Sequence, residues 1–241
     1  MRTATERREL LKAVYEEARE CVACPLHETR TSVVFGAGNA DADVMFVGEA
    51  PGANEDQQGL PFVGQAGKLL EKLLGEIGME RGDVFIANTL KCRPPGNRDP
   101  HPHELDACRH YLESQLELIA PTMICTLGNF ATKLLRGDPT GISKIHGQAE
   151  VRTIGPRTVR LYPLYHPAAA LYTPSTLEML RGDFLRIPEI LALGPPDQPE
   201  PPAAAPEPAP AEPVFSAEAT ASEPTGNAMP EPPDAEQLGL F

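Results

Sequence analysis

Four short apolar runs, residues 43–47, 84–87, 122–127 and 158–164, alternate with stretches of helical spacing, and this alternation leaves few folds open. Each run is short and mostly apolar, as strands buried on both faces are. Between them, residues 67–78 set Leu69, Leu70, Leu73, Leu74 and Ile77 on one helical face. Residues 102–119 do the same with Leu105, Cys108, Leu112, Leu116 and Ile119, with Pro100 and Pro102 suited to the start and Pro121 to the stop. Segments 129–135 and 176–191 complete the helices, and the charged start of the chain reads as one more. The pattern predicts an α/β fold, an open parallel sheet covered on both faces. Such sheets bind ligands at the carboxyl ends of their strands.

The folded body is expected to span residues 1–193. Residues 194–236 are mostly Pro, Ala and Glu, cannot bury enough surface to offset ordering entropy, and read as a disordered linker. The chain carries a net charge of −13, but no Lys or Arg follows Arg186 and nine acids fall between Asp197 and Glu236. Without those acids, 21 basic residues face 25 acidic ones, a net of −4. Local basic groups (Lys91, Arg93 and Arg98, then Lys144, Arg152, Arg157 and Arg160) could meet a phosphate backbone. No apolar run is long enough to span a bilayer and the start lacks a secretory apolar region, which predicts a cytoplasmic protein.

In that compartment clustered cysteines hold metal or do redox work. Cys21 and Cys24 form a Cys-Val-Ala-Cys step, Cys92 lies in the loop after the second strand, and Cys108 sits on the apolar face of the next helix. Four thiolates satisfy tetrahedral zinc or an iron–sulfur cube equally well. Cys125, in an apolar run, reads as core.

The unusual motifs fall at strand ends. Gly48-Glu-Ala-Pro-Gly52 follows the first strand, then Glu55, Asp56 and Gly59-Leu-Pro-Phe-Val-Gly64. Phe62 can stack on a planar ligand, and Glu49, Glu55 and Asp56 offer carboxylates for acid–base or electrostatic work. Asn88, after the second strand, has an amide that matches the polar edge of a nucleobase. His166, fixed by Pro167 after the fourth, can face a developing negative charge, and Leu171 can act as a wedge between bases.

Taken together, Gly48-Glu-Ala-Pro-Gly52 with Glu55-Asp56, Pro61-Phe-Val-Gly64, Asn88-x-x-Lys-Cys-Arg-Pro-Pro95 and His166-Pro-Ala168 resemble the family-four, iron–sulfur uracil-DNA glycosylases. The resemblance covers roughly residues 21–191. It implies a three-layer α/β/α arrangement with a central four-stranded parallel sheet, and a [4Fe–4S] cluster on Cys21, Cys24, Cys92 and Cys108. It also implies a pocket in which Phe62 stacks on extruded uracil, Asn88 reads its edge and His166 steadies charge on O2. Gly48, Glu49 and Asn54 lie where the family lines that pocket, with Glu49, Asn88 and His166 as the catalytic set. Lys91, Arg93, Lys144, His146 and Leu171 are the expected DNA contacts. Ala50 stands where the best-known branch has a water-positioning aspartate, and Gly52 where it has a thymine-excluding tyrosine. The group that orients water therefore stays open between Glu49 and Glu55. Ser143-Lys-Ile-His-Gly147 echoes the covalent-capture loop of one relative, but it follows the third strand, so His146 reads as a backbone contact.

The implied activity is hydrolysis of uracil from single- and double-stranded DNA by a monomeric, nucleoid-associated enzyme. The alternatives are a non-catalytic or covalent uracil-DNA-binding module and a zinc-stapled DNA-binding protein. Finally, Gln237-Leu-Gly-Leu-Phe241 resembles the motif by which bacterial proteins dock on the replication sliding clamp. A flexible linker of about forty residues before it would reach roughly 35 Å.

Overall fold

The computed structural model describes residues 3–199. The expected linker beyond residue 199 and the pentapeptide 237–241 lie outside the described residues.

A helix, α1 (Ala4–Arg19), opens the body. Thr3 accepts the backbone N–H of Glu6 while the Glu6 carboxylate accepts that of Thr3, a reciprocal cap that starts the helix, and Leu11, Tyr15 and Ala18 turn inward. There follow β1 (Ala37–Gly38), β2 (Val44–Gly48), α2 (Ala53–Gln58), α3 (Gln65–Glu76) and β3 (Phe85–Asn88). Next come α4 (Pro102–Ile119), β4 (Met123–Leu127), α5 (Asn129–Arg136) and α6 (Ile142–Ile145). The body closes with β5 (Glu150–Ile154), β6 (Arg157–Leu164), α7 (Pro167–Ala170), α8 (Pro174–Leu185) and α9 (Ile187–Leu191).

The sheet has six strands in the order β1-β3-β2-β4-β6-β5. Its four central strands are mutually parallel, and β1 and β5 add an antiparallel edge on either side. The expected four-stranded parallel sheet is therefore the centre of a wider mixed one. The edges escaped the sequence reading for physical reasons. β1 is two residues long, and β5 exposes Val151 and Thr153 on one face, so neither makes a buried apolar run. Similarly, the helix expected over residues 176–191 is two helices, parted at Arg186. Pro188 lacks the N–H that would continue the first of them.

Alternation along each strand sends side chains to two cores. Met45, Val47, Phe85, Ala87 and Ile124 pack with α1 and α4, whereas Val44, Phe46, Ile86, Cys125 and Tyr162 pack with α3 and α8. The Cys125 thiol is fully buried, as expected of a core residue. The chain leaves β2 toward β3 on one side and then crosses back to β4 on the other. This places a crevice at the carboxyl ends of the central strands. Beyond Leu193 the chain stays engaged with the body as far as Gln198, whose amide accepts from Thr158 N–H (3.3 Å) and donates to Thr158 O (2.9 Å). No helix among the described residues is long and apolar enough to cross a membrane.

Candidate active site and thiol cluster

A cavity of about 430 Å³ opens at those strand ends, lined by Glu49 after β2, Asn88 at the end of β3, His166 after β6, and Phe62. Four residues distant in sequence thus meet in one base-sized pocket, with Pro94, Asn97 and Arg98 forming the wall beyond Cys92. Gly48 is the floor. A Cβ there would stand 2.4 Å from Asn88 Oδ1 and 2.9 Å from Phe62 Cζ, so only glycine lets amide and ring close over it.

Phe62 and His166 face each other with ring centroids 5.7 Å apart. His166 Nδ1 accepts the backbone N–H of Ala168 at 3.1 Å, which puts the ring proton on Nε2 when the imidazole is neutral. Burial pulls its pKa down to about 4, with Glu55 opposing. Neutral His166 is therefore a hydrogen-bond donor through Nε2, which suits a site where negative charge appears.

The three candidate acids divide by role. Glu55 Oε1 accepts the backbone N–H groups of Val63 and Gly64 (3.0 and 3.1 Å), and buried Asp56 accepts that of Thr31 (3.0 Å). Both are braces. The Glu49 carboxylate makes no hydrogen bond or ion pair among the described residues, and burial first, then the charge of Asp99, raises its pKa. It is the carboxylate left free for chemistry. The peptides on either side are tied down: Thr89 N–H donates to Gly48 O (2.9 Å), while the Thr89 hydroxyl (2.5 Å) and Leu90 N–H (3.0 Å) both donate to Glu49 O.

The basic groups behave differently from the sequence reading. Lys91, expected on DNA, is only 1% exposed. Its ammonium donates to Asn88 O (2.9 Å) and Gln115 Oε1 (2.7 Å), and burial pulls its pKa to about 8. A side chain enclosed in this way cannot meet a phosphate. It fails the expectation because a lysine that satisfies its donors internally looks, in sequence, like any other. Arg98 is committed to the buried Glu104 carboxylate, donating from both Nη atoms (2.9 and 2.5 Å) and holding that carboxyl down to about 2. Arg152 pairs with Glu150, Arg160 donates to Gly194 O, and Arg157 donates to Ala120 O. Arg93 donates to Asn97 Oδ1. Lys144 is exposed with no ion pair among the described residues. His146 meets Asp183 through Nδ1 (2.8 Å) and packs on Tyr165, and Leu171 is half-buried beside the far more exposed Tyr172.

Against the core shared by α1 and α4, Cys21, Cys24, Cys92 and Cys108 line one cavity. Lys91 N–H donates to Cys108 Sγ (3.3 Å) and the Arg30 guanidinium to Cys92 Sγ (3.5 Å). Burial pushes the Cys92 thiol up to about 12, so a bare thiolate is disfavoured there and a bound cationic centre would be needed to hold it. Four sulfurs, two with N–H donors and flanking cations, fit a thiolate-bound inorganic group. Among the described residues no three of these side chains close to the spacing of a single-ion site. Arg30, which also donates to Cys21 O and Arg19 O, carried no motif by which the sequence could reveal it.

A family model of the uracil-DNA glycosylase superfamily matches residues 35–186, from just before β1 to the end of α8. The chain belongs to that superfamily. Within it, the chain is 46% identical over 185 residues to the type-4 uracil-DNA glycosylase of Sulfurisphaera tokodaii, covering 75% of this chain and 84% of the relative. A similar match joins it to the type-4 enzyme of Archaeoglobus fulgidus, 46% over 187 residues, 76% of this chain and 94% of the relative. The type-4 enzyme of Thermotoga maritima is 46% identical over 166 residues, 68% and 85% of the two chains. The superfamily match includes Phe62, Asn88, Cys92, Cys108 and His166.

Proposed function

We propose that the chain is a monofunctional uracil-DNA glycosylase that hydrolyses the bond between uracil N1 and deoxyribose C1′. The observation that carries the reading is the meeting of the Phe62 ring, the Asn88 amide and a neutral His166 in one cavity of about 430 Å³. The type-4 relatives, named for this activity, support it.

The base must first leave the stack, at a cost of a few kcal/mol, which favours uracil in weak pairs or single strands. Phe62 then supplies a flat wall. Asn88 can accept from uracil N3–H and donate to O4, a pairing that cytosine, with an acceptor at N3 and a donor at C4, does not match. As the C1′–N1 bond breaks, its electron pair stays with uracil, and His166 Nε2–H donates to O2 where the charge collects. The sugar becomes cation-like. Glu49 lies where its carboxylate can steady that charge and orient a water whose oxygen bonds to C1′ while its proton passes to the carboxylate. Free uracil and an abasic site result.

Cys21, Cys24, Cys92 and Cys108 would hold a [4Fe–4S] cluster, which when bound would brace the Lys91–Arg98 loop without entering the reaction. Arg93, Lys144, His146 and Leu171 are the proposed DNA contacts, and Gln237–Phe241 the proposed dock for a bacterial sliding clamp. The enzyme would act as a monomer in the cytoplasm, at the nucleoid.

The decisive test is release of free uracil from a deoxyuridine-containing oligonucleotide by the wild type and by Asn88→Ala and His166→Ala. Release by the wild type, lost in both variants, supports the reading. A stable complex without free uracil would instead indicate a binding module.

A further inference from the structure

Phe62 has φ +53°, in the left-handed region that a bulky side chain enters only under constraint. The constraint comes from both sides of its peptides. Glu55 Oε1 takes the N–H groups of Val63 and Gly64. On the opposite side the Arg81 guanidinium donates from Nη1 to Phe62 O (3.1 Å) and from Nη2 to Pro61 O. Helix α3 closes the third side, where a Cβ on Gly67 would come within 1.7 Å of Phe62 O. Arg81 sits on a short 3₁₀ turn, Arg81–Asp83, and is itself held by Glu71 at 3.1 Å. It is nineteen residues from Phe62 and does not line the pocket.

Without the guanidinium, two carbonyls lose their donor and the reason for the left-handed turn weakens. The backbone can then relax toward negative φ, which swings the ring away from His166. We propose that Arg81 is a positioning residue, fixing the aromatic wall of the pocket through the Pro61 and Phe62 carbonyls without touching substrate. The inference rests on the reading of Phe62 as the surface on which the base stacks.

A double-mutant cycle tests it. In single-turnover assays on a uracil-containing single strand, Arg81→Met is expected to lower kcat/KM by about 10- to 100-fold, the scale of a misplaced binding surface. Inhibition by free uracil should weaken in parallel. Arg81→Lys, which can reach one carbonyl at a time, should fall between. Added ethylguanidinium should restore part of the activity of Arg81→Ala. If Arg81 acts through the ring, Arg81→Met/Phe62→Ala will be no worse than Phe62→Ala alone. Losses that multiply in the double variant overturn the proposal, as does full uracil release by Arg81→Met. If Arg81→Met fails to fold, Arg81→Lys takes its place in the same cycle under the same criterion. Should Phe62→Ala itself release uracil normally, the stacking role falls and this proposal falls with it. An impaired Phe62→Ala beside a normal Arg81→Met sinks the positioning role alone.

Discussion

The ammonium of Lys91 donates to the backbone carbonyl of Asn88 across 2.9 Å, tying the pocket's amide-bearing residue to Gln115 on α4. Gln115 in turn donates to Phe35 O at 2.9 Å. The strand end that presents Asn88 is thus pinned from behind by a buried charge. Lys91→Met keeps the length and removes the donor, leaving two buried acceptors unsatisfied at a cost of about 1–3 kcal/mol. Chemical unfolding should show that loss together with reduced uracil release. The salt dependence of DNA binding should stay as in the wild type, whereas removing a phosphate contact would lower its slope by about one. A lowered slope would return Lys91 to the DNA interface.

The pH response follows from His166. Its folded pKa is about 4 against an ordinary 6.5, so as pH falls the unfolded chain takes up the proton first. The stability this group supplies is complete above about 6.5 and drains away between 6.5 and 4. Activity should likewise run level through pH 6.5. To separate His166 from Glu49, the profile is read in Glu49→Gln, where the remaining acid limb should lie near 4. A break at 6.5 in that variant would show that the imidazole is not held neutral by its surroundings. Replacing the ring, as in His166→Ala, should cost about 10²- to 10³-fold in kcat.

Gly48→Ala tests how tightly the floor is closed. The added carbon would stand 2.4 Å from Asn88 Oδ1 and 2.9 Å from the Phe62 ring, so amide and ring must part. A fall in kcat/KM on the order of 10²-fold, with circular dichroism unchanged, is expected. Wild-type rates would mean the two side chains need not meet there.

Cys92 lies four residues after Asn88 and its sulfur shares a cavity with three others. Cys92→Ala should lose the visible absorption of an iron–sulfur centre and, because the loop loosens, most of the turnover as well. A folded, colourless Cys92→Ala protein with full activity would break the link between the thiols and the pocket.

Deleting residues 237–241 should abolish binding to a purified bacterial sliding clamp while uracil release from a short oligonucleotide is unaffected. Clamp affinity that survives the deletion counts against the terminal motif.

Much of the centre of this fold is written locally. β2, β3, β4 and β6 are short, mostly apolar runs, so a chain-wise reading finds them and, with them, the loops that carry Phe62, Asn88 and His166. What local pattern cannot express is where a charge ends up. Lys91 and Arg98 are two neighbours in a basic loop, yet one is enclosed between Asn88 and Gln115 and the other locked on Glu104. Glu55 and Asp56 share a motif with Glu49, but backbone N–H groups claim them and leave Glu49 free. Arg81 has no motif at all. Its role exists only once the turn before β3 is folded against the loop before α3.

The Gln198 amide clasps Thr158, which lies at the opening of β6, while His166 follows that strand's far end. Six residues of extended chain between Thr158 and Leu164 span about 20 Å. The protein is therefore handed on to its remaining residues from the rear, away from the mouth that admits the base.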